Sequence, residues 1–167
     1  MAECRESFAD IVAVWPFLAG EIKYKVPFNV RSRKVSVNEI GVSSLDALLK
    51  NRGYYSVGEN YEDSKCVEIE ERKCILKSAS KRTISGRSYD VSLVLIINEK
   101  SDNSATMMDE IEMDRHDFIV QCADSSYLLV RSVEMGYKCV AEEEISENYQ
   151  QKLTITMTNY NGIQRIY

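Results

Sequence analysis

Residues 88–98, SYDVSLVLIIN, constrain the fold of this chain more than any other stretch. Tyr89, Val91, Leu93, Leu95 and Ile97 fall on every second position, and a β-strand turns such a set onto a single face. The intervening residues Ser88, Asp90, Ser92, Val94, Ile96 and Asn98 are polar at the ends and apolar in the middle. That pattern predicts a central strand covered on both sides at its middle.

Other alternating runs supply neighbours for it. Ile22, Tyr24, Val26, Phe28 and Val30 alternate with polar residues, predicting a half-exposed strand over 22–31, and Pro27 places it at an edge or a bulge. Residues 66–77 predict a hairpin turning at 70–73, with Ile69 opposite Cys74 and Val67 opposite Leu76. Residues 118–133 predict a second hairpin around 123–126. Strands follow at 137–145 and 152–158, and Asn161-Gly162 signals a further hairpin turn. Residues 78–87 and 99–105 are polar connections, and 54–63 is a tyrosine-bearing loop.

Two short helices complete the pattern. Leu45, Leu48 and Leu49 form an i, i+3, i+4 stripe behind Ser43-Ser44, with Gly53 as the stop. Thr106 caps a second helix whose Met107, Met108 and Ile111 face inward. The expected fold is therefore mainly β, an antiparallel β-sandwich or barrel of about eight strands with two short helices. At 167 residues and 19.1 kDa the chain forms one domain. Residues 1–20 and 159–167 are candidate terminal arms, and Pro16 limits any helix near the start.

Several function classes lack their sequence signals. No apolar run approaches the ~20 residues that cross a bilayer. The run IVAVWPFLA at 11–19 follows Glu3, Glu6 and Asp10 rather than a positive start, so no signal peptide is expected. Cys4, Cys66, Cys74, Cys122 and Cys139 include no close pair of the kind that holds metal or runs thiol redox chemistry, and they are expected as reduced thiols. There is no phosphate-cradling glycine loop and no dinucleotide fingerprint. His116 lies between Asp114 and Asp117 with no recognisable nucleophile, and is expected at the surface where a strand begins. The acidic run at 109–114 lacks the glycine and alternating oxygens of a calcium loop and is expected as a solvated helix face. The chain is accordingly expected to be no enzyme, and to hold no cofactor, no metal and no small-molecule substrate.

Charge and tyrosine give the positive signals. Residues 1–90 carry 15 Lys and Arg against 13 Asp and Glu, whereas residues 91–167 carry 6 against 13. Such polarity suits head-to-tail contacts between copies or with neighbouring proteins. Lys23, Lys25 and Arg31 share the outward face of the predicted strand, with Arg33 and Lys34 at its turn. Phosphate contact is one use of such a face, but a pI near 5.1 and the lack of an RNA-binding aromatic signature make a lysine-decorated edge the better reading. Ten tyrosines include Tyr54, Tyr55, Tyr61, Tyr160 and Tyr167 in predicted loops or at the terminus, where tyrosine favours protein interfaces.

The succession SYDVSLVLIIN, HDFIVQCADSSYLLVRSV and KLTITMTNYNG resembles the small β-rich structural proteins of tailed bacteriophages, those of tail, neck or baseplate. The resemblance covers the C-terminal half. It implies a non-catalytic virion subunit, made in the host cytoplasm, that assembles with its own copies and other virion proteins by strand addition and loop insertion. Interface candidates are then Lys23, Lys25, Arg31, Arg33, Tyr54, Tyr55, Tyr61, Tyr160 and Tyr167. The alternative is a small sandwich or barrel that binds a ligand or glycan in an aromatic-lined pocket.

Overall fold

The computed structural model describes residues 10–25, 34–58, 65–84, 86–98, 101–134 and 136–167. In chain order the strands are β1 (Ile11–Leu18), β2 (Lys34–Val35), β3 (Tyr54–Val57), β4 (Cys66–Ile69), β5 (Ile75–Thr83), β6 (Gly86–Ile97), β7 (His116–Cys122), β8 (Tyr127–Val130), β9 (Lys138–Ile145), β10 (Tyr149–Asn159) and β11 (Ile163–Ile166). The helices are α1 (Leu45–Leu49) and α2 (Asp102–Met113), with a 3-10 turn at Asn38–Ile40. Among the described residues the fold is mainly β with two short α-helices, as the sequence pattern predicts. Its eleven strands join in one sheet, β2-β11-β8-β7-β1-β3-β4-β6-β10-β9, with β5 also on β6, and the sheet does not close into a barrel.

The sheet turns a corner where β4 meets β6 and so packs on itself. One core cluster draws Val14 of β1, Tyr55 of β3 and Phe118 of β7 together with Leu93 of β6, Ile155 of β10 and Met107, Met108 and Ile111 of α2. A second cluster covers the opposite face of the β1-β7-β8 region. There Trp15, Phe17, Ile119 and Leu129 meet Ile40 and Leu49 from the 3-10 turn and α1. β7 is thus covered on both faces, while β6 is not: Val91, Leu93, Leu95 and Ile97 are fully buried but Ser92, Val94 and Ile96 stay half-exposed. The expectation of a doubly covered centre at 88–98 is corrected in favour of β7.

Other differences have local causes. β1 is no arm, since it lies between β7 and β3. A bulge near Val12 puts Ile11 and Val14, three apart, in the same core cluster. Pro16 is tolerated because pairing with β3 is confined to Ala13 and Val14, so its missing N–H falls on an open edge, where Arg52 Nη2 donates to its carbonyl at 3.3 Å. The predicted strand over 22–31 is absent over its described part: Ile22 and Tyr24 pack inward, but 21–25 is irregular. Residues 159–167 form no arm either, for β11 pairs antiparallel with β8 and parallel with β2.

The predicted 66–77 hairpin becomes a bulged edge. β4 and β5 follow one another along the same side of β6, Ile69 opposite Ile97 and Ile75 opposite Val94. The extra residues loop out around Arg72, whose φ is +66°. Glu70 N–H donates to the Ile96 carbonyl at 2.8 Å, and Ile96 N–H donates to Cys74 Sγ at 3.4 Å, so a thiol fills the gap in the ladder. Asn161-Gly162 likewise makes a turn without a hairpin. Gly162 has φ +66° and lies so close to Tyr89 that a Cβ would sit 3.1 Å from its ring, and the Asn159 side chain brackets it from both sides.

The helices keep their inward faces but shift their ends. Ser44 Oγ accepts from Ala47 N–H at 3.2 Å, as expected, yet α1 stops at Leu49 and Asn51, not Gly53, takes the positive φ. α2 starts at a Ser101 cap, five residues before Thr106, and residues 102–105 are helix instead of loop. The described cysteines, Cys66, Cys74, Cys122 and Cys139, are free thiols, and burial pushes Cys139 up to about 12.

Candidate assembly surface

The corner at β4 leaves a four-stranded half, β5-β6-β10-β9, with a strand at each side that is unpaired among the described residues. β5 pairs with β6 over its whole length, from Ile75 opposite Val94 to Thr83 opposite Gly86, and with no other strand among the described residues. Among the described residues β9 pairs only with β10. Ile96 uses its backbone toward β4 and β5, which fixes the alternation across the half. Leu76, Ser78, Ser80 and Arg82 therefore turn their N–H and C=O groups outward on β5, and Cys139, Ala141, Glu143 and Ile145 do so on β9.

Among the described residues β5 is neither short nor covered, and on β9 helix α2 packs against the start of the strand but leaves residues 142–145 exposed. Nearly all of β5 is exposed, with Ile75 at 53% and, at the hairpin tip beyond it, Ile84 fully exposed. On β9, Val140 is 40% and Ile145 is 73% exposed. β5 bears Lys77, Lys81 and Arg82 and no carboxylate; β9 bears Glu142, Glu143 and Glu144 against Lys138 at its start. Lys81 pairs with Asp90 at 3.0 Å, and Glu143 accepts from Tyr149 Oη at 2.7 Å.

The sequence-predicted interface residues scatter. Lys23 and Lys25 are exposed but lie on an irregular segment rather than a strand face. Tyr54 stacks on Trp15, ring centroids 5.5 Å apart, and Tyr55 is fully buried in the core, which removes it as a surface contact. Tyr160 and Tyr167 are exposed at 45% and 67%, and Tyr167 is held by its own chain through Val35 and Val37. Arg31, Arg33 and Tyr61 lie outside the described residues.

Two concave features lie on the other half of the sheet. A shallow groove of about 690 Å³ runs past Trp15, Tyr54 and Tyr127, with Asp46, Lys65 and Gln121 at its margin. A smaller cavity of about 250 Å³ contains Glu21, Arg52, Glu110 and His116. Arg52 bonds Glu21, holding that carboxyl below its usual range, and lies 4.0 Å over the Phe17 ring. His116 is buried rather than at the surface, because β7 enters the core at once, and its Nδ1 meets the Asp114 carbonyl at 2.7 Å.

Asp117 anchors a buried polar cluster that the sequence did not announce. Its carboxylate accepts from Tyr24 Oη at 2.8 Å, from Ser132 N–H at 2.7 Å and from Ser132 Oγ at 2.8 Å. Arg131 lies 3.7 Å over the Tyr24 ring, and Arg115 donates to the Ser132 carbonyl at 2.7 Å. Burial, reinforced by the Asp117 charge, pushes the Tyr24 phenol far above its ordinary range. The cluster ties the irregular 21–25 segment to β7 and the end of β8. No protein-family model, curated protein or solved structure matches this chain.

Proposed function

We propose that this chain is a non-catalytic assembly subunit of a tailed-phage virion, of its tail, neck or baseplate, and that it joins its neighbours through sheet edges. The observation that carries the assembly reading is the pair of long, largely exposed strands β5 and β9, each with one side unpaired among the described residues, since an open edge recruits another strand. The virion context rests on the resemblance of the C-terminal half. No helix among the described residues is long and apolar enough to cross a membrane. The test is the solution mass by light scattering and mass photometry: multiples of 19.1 kDa are expected, growing with concentration. A particle that stays at one chain mass throughout the micromolar range overturns the reading.

The Trp15-Tyr54-Tyr127 groove supports a second reading, a glycan-binding module, because stacked aromatics ringed by polar groups suit a sugar face. Trp15 is the sole tryptophan, so its emission reports the groove directly. On this reading a panel of oligosaccharides shifts or quenches that emission saturably; a flat titration across the panel removes it.

A further inference from the structure

We infer that the two edges are one another's partners: β5 of one copy pairs antiparallel with β9 of the next, joining subunits head to tail. The inference rests on the assembly reading above and names its partner as a second copy of this chain.

Strand parity comes first. β5, β6, β10 and β9 are each antiparallel to the next, so across an even set of strands β5 and β9 run in opposite directions. When a second copy extends the sheet in the same orientation, its β5 arrives beside β9 already antiparallel, and the face that was outside stays outside. No strand has to flip.

Register and charge agree with that arrangement. Outward-bonding residues have even numbers on β5 and odd numbers on β9, so a ladder between them places Lys77 and Lys81 on the same face as Glu142 and Glu144. Arg82 shares the other face with Glu143. Lys77, Arg82, Glu142 and Glu144 have no ion-pair partner among the described residues. A two-fold dimer through either edge alone would instead set β5 cations against β5 cations, or β9 carboxylates against β9 carboxylates, and like charges directly opposite disfavour pairing. Complementary edges on one chain make a heterologous contact, which closes into a ring or runs on as a fibre according to the rotation per copy.

The test reverses the charges on the face shared by Lys77, Lys81, Glu142 and Glu144. The K77E/K81E chain presents carboxylates on that face of both edges and the E142K/E144K chain presents lysines on both; each alone is expected to associate about a hundredfold more weakly than the parent. Mixing the two restores assembly, because each acidic edge then finds a basic one, and the chain carrying all four substitutions assembles by itself. Parent assembly also weakens as salt rises. As an independent block, S80P puts a proline where the N–H points outward, leaving the β5-β6 ladder intact while spoiling the edge. Circular dichroism and thermal melts confirm that each variant is folded. Assembly that survives single-edge reversal, or that mixing does not restore, overturns the β5-to-β9 pairing while leaving the assembly reading in place. A parent chain that stays monomeric removes both.

Discussion

Replacing Asp117 with alanine is expected to destabilise the folded chain by about 3–5 kcal/mol, the scale for removing one partner from a buried charged network. The carboxylate is 2% exposed and accepts three hydrogen bonds, so its loss leaves the Tyr24 hydroxyl and both Ser132 donors without that acceptor in the interior. Arg131, also 2% exposed, is left beside a neutral site. In a chain of this length the loss corresponds to a fall in Tm of roughly 6–20 °C. Urea unfolding measures it as a lower midpoint at nearly unchanged slope. The isosteric Asp117→Asn keeps an acceptor and is expected to lose less. A loss below about 1 kcal/mol for the alanine variant, the range of ordinary surface changes, would show that the cluster is not coupled to folding.

The elements of this fold were legible where one face is wet and the other dry. Alternation located β6 and β10, the apolar run before the 123–126 turn located β7, the bend at Gly136 located β9, and that turn joins β7 to β8 as expected. Met107, Met108 and Ile111 point into the core even though their helix starts earlier than Thr106. Pairing was much less legible. Residue periodicity says which face a strand buries and nothing about its neighbour, so the parallel β3-β4 pair and the β4-β5 sequence along one side of β6 left no trace. β1 was hidden twice, by a bulge that breaks its alternation and by a proline that in most strands forbids pairing.

The candidate surface was half legible for a related reason. The contrast between a basic first half and an acidic second half pointed to head-to-tail contact, and part of it falls on the edges themselves, in KSASKR of β5 and EEE of β9. Their strand character was concealed because an edge wet on both faces has no apolar alternation; KSASKR is extended because β6 pairs with it. The alternating Lys23-Lys25 segment gave a stronger local signal, yet Ile22 and Tyr24 bury themselves against the second core and the Asp117 cluster without forming a ladder. Isolated tyrosines had no such geometry to offer, and Tyr55 shows how readily the ring serves the core instead.

Four alanine substitutions in two strands test the layered architecture as a pattern rather than one at a time. In β6, Leu93 is fully buried between the two halves of the sheet whereas its neighbour Val94 is half-exposed on the outer face beside Ile75 and Thr154. Leu93→Ala is expected to cost about 2–5 kcal/mol, from lost transfer energy and the cavity left behind, and Val94→Ala about 1 kcal/mol or less. In β7, Phe118 belongs to the core between the sheet halves and Ile119 to the core beneath α1, and both are 0% exposed. Phe118→Ala is expected to cost about 3–5 kcal/mol and Ile119→Ala about 2–5 kcal/mol. Adjacent positions therefore give one large loss in β6 and two in β7, read from urea midpoints of the isolated variants. Two large losses in β6 would mean that a second layer covers its outer face. That layer would also bury Lys77 and Lys152 and take from the head-to-tail ladder the open face on which Lys77 and Lys81 are to meet Glu142 and Glu144.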